Sequence, residues 1–169
     1  MRIAVIGYSG AGKSTLSEAL GRRYGIPVLH LNNVQFITNW AERDRGEANA
    51  LAAGFTERPY WVIDGNYNDF DQKRRLLLAD RIVFLNFSRL TCLLRVWRRY
   101  RRFRGLTRPD TGDGCIEKLD AEFVWWVLWK GRTGDKRRHY RDIMSEYPEK
   151  VTELRTQREI DQYLEGLPC

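Results

Sequence analysis

The sequence predicts an α/β domain whose strands form a parallel sheet with helices on both faces. Short apolar, β-branched runs alternate with segments of helical period, the pattern of parallel βαβ construction. An eight-residue glycine-rich stretch joins the first such run to the first helical segment. At 169 residues, 43% hydrophobic and 30% charged, the chain can bury a real core, and one domain over 1–169 is expected.

The elements follow in order. Arg2 to Ile6 reads as a buried strand ended by Gly7. Ser14 to Tyr24 is a helix with Leu16 and Leu20 on one face and Gly25 beyond its end. Pro27–Leu31, Tyr60–Ile63 and Arg81–Leu85 are further strands, and Lys150–Leu154 is a weaker fifth. Glu42–Phe55 and Asp71–Ala79 read as helices. A long helix from about Ser88 to Arg104 follows, with Leu90, Leu93, Leu94, Trp97 and Tyr100 at a helical period and expected to face the core. Gly105 to Gly114 is a loop. Glu117–Lys130, Lys136–Glu146 and Arg158–Leu164 complete the helices.

Composition excludes several classes. The longest apolar run, Phe123 to Trp129, has seven residues, and a bilayer span needs about 20. No membrane partner is expected, and the N-terminus lacks the features of a secretory signal. Cys92, Cys115 and Cys169 are widely spaced, with no C-x-x-C, so neither a disulfide framework nor a zinc site is implied. A cytoplasmic protein is expected. The net charge is +7, yet Arg81 to Pro109 alone holds nine arginines and no acid, leaving −2 for the rest. One-signed charge on one segment calls for a polyanionic partner, a phosphate-bearing molecule or nucleic acid.

Gly7-Tyr8-Ser9-Gly10-Ala11-Gly12-Lys13-Ser14 fits the phosphate-loop pattern G-x-x-x-x-G-K-[ST] in full, between a strand and a helix. Such a loop aims its N–H groups at phosphate oxygens, and the helix adds its positive end. Gly7, Ser9, Gly10, Ala11, Gly12, Lys13, Ser14 and Thr15 are therefore the candidate ATP-binding residues. Lys13 would reach the β and γ phosphates, and Ser14 would bind Mg²⁺. No N-K-x-D guanine signature occurs, and the chain is short for a transport or remodelling ATPase. A compact kinase-like type remains.

The order of motifs resembles the bacterial topology modulation protein family, small P-loop proteins related to adenylate kinase. The matching pieces are the phosphate loop, His30-Leu31, Trp40 to Asp44, Trp61 to Tyr67, Ala79-Asp80, Arg104 to Asp110 and Gly114-Cys115. The resemblance implies a three-layer P-loop fold on a five-stranded parallel sheet, ATP binding and a nucleotide-kinase-like site. It also implies that Asp64 supports Mg²⁺ through water, although Asp64-Gly65 is equally a common turn pair. Two positions depart from the family pattern, Asn32 and Asn86 standing where carboxylates are usual. Asn32 cannot take a proton from a hydroxyl, which tilts the acceptor towards a phosphate oxygen, already ionised at pH 7.

Arg95, Arg98, Arg99 and Arg102 share one helical face. Arg95 and Arg99 resemble the lid-proximal arginines of adenylate kinases, and Arg108 resembles an arginine of a short basic lid over about 105–116. These three are the candidate arginines for screening the transferred group. Arg43 and Asn66 are the candidate substrate-binding residues. Phe123 to Trp129 is expected in core or subunit packing, with a second copy as a candidate partner. The function expected is transfer of the γ-phosphate of MgATP to a nucleotide or other phosphate-bearing small molecule. The alternative is a non-catalytic or slowly hydrolysing ATP-binding regulator that contacts DNA through its arginine-rich helix.

Overall fold

In the computed structural model, which describes residues 1–106, 115–117 and 119–167, five strands form one parallel sheet. The strands are β1 (Arg2–Gly7), β2 (Val28–His30), β3 (Trp61–Asp64), β4 (Arg81–Leu85) and β5 (Val151–Leu154). Their order across the sheet is β2-β3-β1-β4-β5. The helices are α1 (Lys13–Tyr24), α2 (Leu31–Gln35), α3 (Arg45–Thr56), α4 (Gln72–Leu78), α5 (Arg89–Phe103), α6 (Ala121–Leu128), α7 (Gly134–Glu146) and α8 (Gln157–Glu165). The α/β class and the five-stranded parallel sheet are as expected. Among the described residues no helix is long and apolar enough to cross a membrane.

The three middle strands are apolar along their interiors, with charge only at the ends (Arg2, Asp64, Arg81), because helices cover both of their faces. Ile3, Val5, Trp61, Val62, Ile82, Val83 and Leu85 are fully shielded from solvent. Trp61 is the largest of the fully buried side chains, and its indole N–H donates to the Thr56 carbonyl at 3.0 Å. Helix starts are set by side-chain caps. Asp44, Asp71, Ser88, Asp120, Thr133 and Thr156 each accept from the N–H three residues on. Asp120 explains why α6 starts at Ala121 and not at Glu117, whose backbone instead bridges Arg104. The five-residue α2 is too short to leave a period in the sequence.

One packing expectation is corrected in part. On α5 three residues of the stripe expected in the core face outward, Leu90 at 76% exposure, Leu94 at 45% and Trp97 at 43%, while Leu93 packs half-buried against the core. Cys92 and Val96 are buried instead. The partner on that side is the backbone of the glycine loop, so close approach selects small side chains over Leu and Trp. Over Phe123–Trp129, Val127 is buried and Phe123 packs partly against the core, while Trp125 and Trp129 are exposed and stack on each other at 4.6 Å.

The topology gathers the site. Parallel strands end at a common edge, and β1 lies between β3 and β4. Register pairs Gly7 with Leu85, Val5 with Asp64, and His30 with Asp64. Replacing Trp61 with Ala empties the densest part of this frame. We expect it to cost about 3–5 kcal/mol in urea unfolding; a loss below about 1 kcal/mol would contradict the packing described.

Candidate active site

Gly7 ends β1 with φ +144°, and a Cβ there would sit 2.5 Å from the Leu85 carbonyl oxygen. The loop then turns against α5. A Cβ on Gly10 (φ +79°) would lie 2.7 Å from both the Cys92 carbonyl oxygen and Val96 Cγ2. Within the loop, Ala11 N–H donates to the Tyr8 carbonyl at 3.1 Å.

Three side chains hold the loop from outside. Asn66 grips the Gly7 residue twice, with Oδ1 accepting from its N–H at 3.0 Å and Nδ2 donating to its carbonyl at 2.5 Å. Lys13 Nζ donates to the Gly7 and Tyr8 carbonyls at 3.0 and 3.2 Å, so its ammonium is held over the loop. Arg95 donates to the Ala11 carbonyl and to Gln157 Oε1, both at 2.6 Å, with its guanidinium 4.0 Å above the Phe87 ring. Burial lowers the Arg95 pKa. Ser9 Oγ accepts from the Trp126 indole N–H at 3.2 Å.

Helix α1 begins at Lys13 without a side-chain cap and with no acid in its first turn. The leading N–H groups of a helix have no partner within it. Here those of Lys13, Ser14 and Thr15 open onto the loop beside Lys13, an arrangement made for an anion.

Asp64 closes β3 at 2% exposure. His30 bridges it to α1, with Nδ1 2.6 Å from Asp64 Oδ2 and Nε2 3.0 Å from Glu18 Oε1. The histidine is thus a strand-end residue that orients the carboxylate. Ser14 and Asp64 fit Mg²⁺ by their chemistry: one hydroxyl and one carboxylate, the sparse oxygen set that Mg²⁺ completes with water and substrate phosphates.

Beyond Asp64, the turn carrying Asn66 and Tyr67 is held by Arg75, a buried residue the sequence reading passed over. Its guanidinium donates to the Tyr67 and Phe70 carbonyls at 2.7 and 3.0 Å, and burial lowers its pKa to about 10. Nothing in Arg74-Arg75 distinguishes the buried arginine from its exposed neighbour. Tyr67 donates to Asn32 Oδ1 at 2.8 Å. Burial, with the nearby Glu42 and Asp64 charges, pushes its phenol up to about 12.

Several expected ligand contacts are occupied by protein. Asn66 sits on the Gly7 peptide. Arg43 bonds the Val34 and Asn33 carbonyls and Glu47. Arg99 pairs with the buried Glu117 at 2.7 Å. Arg95 touches the loop itself, whereas Arg108 lies outside the described residues. Cys115 gains a role: its thiol donates to the Ile37 carbonyl and accepts from Trp40 N–H, pinning residues 37–40 to the end of the expected lid. A shallow pocket of about 420 Å³ opens beside Arg95, lined also by Phe87, Arg98, Arg155 and Gln157.

This geometry can be set beside known proteins. Neither the protein-family models nor the curated proteins contain a match to this chain. Solved structures do share its fold. Shikimate kinase from Acinetobacter baumannii in complex with shikimate superposes with a TM-score of 0.59 at 17% identity, over 97% of this chain and 89% of that one. Deoxyadenosine kinase from M. mycoides with bound dATP gives 0.55 at 16% identity, over 98% and 96%. The chain has the P-loop kinase fold.

The Gly7 clamp yields a prediction. Asn66→Ala removes both bonds, and we expect a loss of about 1–3 kcal/mol in stability. ATP affinity should fall by about tenfold in calorimetric titration. Asn66→Asp keeps the acceptor but not the donor and should fall between the two; wild-type ATP affinity in Asn66→Ala would contradict the clamp.

Proposed function

We propose that the chain is a phosphotransferase that moves the γ-phosphoryl group of MgATP to a nucleotide or another phosphate-bearing small molecule. The observation that carries this is the uncapped start of α1 after a glycine loop, with Lys13 held on that loop and the buried Asp64 ending the neighbouring strand. Phosphoryl transfer is mostly positioning and charge neutralisation, and those are the parts this edge supplies.

In this reading the N–H groups of Gly10 and of Gly12 to Thr15 surround the β and γ phosphates, and Lys13 leaves the Gly7 and Tyr8 carbonyls to meet them. Ser14 would hold Mg²⁺ directly and Asp64 through water; the ion would neutralise charge on the triphosphate. An acceptor oxygen forms the new bond to the γ phosphorus as the bond to the bridging oxygen breaks, and ADP departs with that electron pair. An ionised phosphate oxygen gives up no proton, in keeping with Asn32 where a base would stand. The pocket beside Arg95 offers the nucleoside a guanidinium that is itself backed by the buried Phe87 ring. The kinases that share the fold support the donor half of the reading, and the motifs shared with bacterial topology modulation proteins agree with it.

A second reading is favoured by α5. Trp97 is exposed with the Arg101 guanidinium 5.0 Å from its ring, and Arg98 and Arg102 are exposed beside it. An ATP-binding regulator could meet DNA phosphates and bases there.

The test is ADP release from MgATP against nucleoside monophosphates, nucleosides and duplex DNA. Stimulation by a small-molecule acceptor with a phosphorylated product is expected, and Lys13→Ala should abolish it. A response to DNA alone, falling steeply between low and physiological salt, would overturn the kinase reading in favour of the second.

A further inference from the structure

The corner between α6 and α7 carries basic groups that the arginine-centred reading leaves out. Trp126, whose indole N–H donates to Ser9 of the phosphate loop at 3.2 Å, has Lys136 Nζ 3.8 Å from its ring centre and Lys130 Nζ at 5.8 Å. The ring is fixed in place: a Cβ on Gly131 would lie 2.8 Å from the Trp126 carbonyl and 3.1 Å from its indole nitrogen. A ring tied to the loop thus has two ammonium groups against it.

Neither ammonium has an ion-pair partner among the described residues, Asp135 included, though it shares the first turn of α7 with Lys136. Five arginines around the site are otherwise placed. Arg43, Arg45, Arg99 and Arg155 pair with carboxylates, and Arg95 is on the loop and Gln157. Lys136 also stands at the positive end of a 13-residue helix, where a cation is disfavoured and an anion welcome. Burial, and then the charge of Lys130, hold its ammonium below the usual lysine range. Two like charges close enough to repel, one of them in the first turn of a helix, are in conflict until an anion arrives.

We infer that Lys130 and Lys136, seated on Trp126, form an oxyanion-binding site at the rim of the phosphate loop that takes a phosphate group. The inference deepens the proposed function and rests on it for the identity of that group. Two sources share the chemistry, the γ-phosphate of the donor and the phosphate of the acceptor.

Calorimetry on wild type, Lys136→Gln, Lys136→Arg and the Lys130→Gln/Lys136→Gln double variant separates them. The probes are MgADP, the magnesium complex of β,γ-imido-ATP, and inorganic phosphate titrated into the MgADP complex. MgADP affinity should stay within about twofold of wild type throughout. If the site takes the γ-phosphate, β,γ-imido-ATP weakens at least tenfold in Lys136→Gln. If it takes the acceptor's phosphate, binding of inorganic phosphate to the MgADP complex weakens by that factor instead. Either result supports the site, and recovery in Lys136→Arg shows that the charge is responsible and not the fold. Both probes within twofold of wild type in the double variant would overturn it. Should wild type bind no MgADP, the nucleotide reading fails by itself, and inorganic phosphate is titrated into the free proteins. Loss in the double variant then supports the corner, and equal or absent binding overturns it.

Discussion

The Gly7 peptide group is the point on which the site is built. Asn66 holds its N–H and its carbonyl, and Lys13 shares the carbonyl, so the loop is tied to the turn after β3 and to its own lysine at once. The loop leaves a central strand that pairs with β3 as far as Val5 and with β4 through Gly7, so its starting point is fixed. A loop fastened there keeps its N–H groups aimed without a ligand, so little ordering is left to be done on binding. The same fastening explains why α5 meets the loop through Cys92 and Val96: a helix carrying larger residues on that side could not approach Gly10.

Electrostatics divides the basic residues into two groups. One maintains the architecture: Arg75 holds the turn after Asp64, Arg99 neutralises buried Glu117, and Arg95 fixes Ala11. Arg132 belongs with them, buried with its guanidinium 3.8 Å over the Tyr8 ring and bonded to the Phe87 carbonyl. A guanidinium suits this work because it donates in several directions and stays charged when buried. The other group, Lys13 on the loop and Lys130 and Lys136 at its rim, carries compact mobile charge at the open side.

Much of this was legible in the sequence. The strands, their parallel pairing and the phosphate loop follow from short apolar runs and one eight-residue pattern, both local signals. Asp64 was placed beside the loop by its position after a strand. What escaped depends on contacts distant in the chain. Asn66 looks like a substrate ligand until Gly7, 59 residues away, is seen between its two polar atoms. The outward stripe of α5 has the same period as an inward one, and only the backbone packed at Cys92 decides between them. The tryptophans of α6 are hydrophobic enough for a core, yet two stack in solvent and the third is oriented by Ser9. Nothing local marks Lys130 and Lys136 off from other surface lysines.

The central claim is that a preformed loop at the end of β1 receives a triphosphate. A crystal structure with Mg²⁺ and β,γ-imido-ATP tests it most directly. The account predicts phosphates within the arc of N–H groups of Gly10 and Gly12 to Thr15, Asn66 still on Gly7, and Lys13 moved from the carbonyls to the phosphate oxygens. A nucleotide bound elsewhere, with Lys13 still on Gly7 and Tyr8, would contradict it.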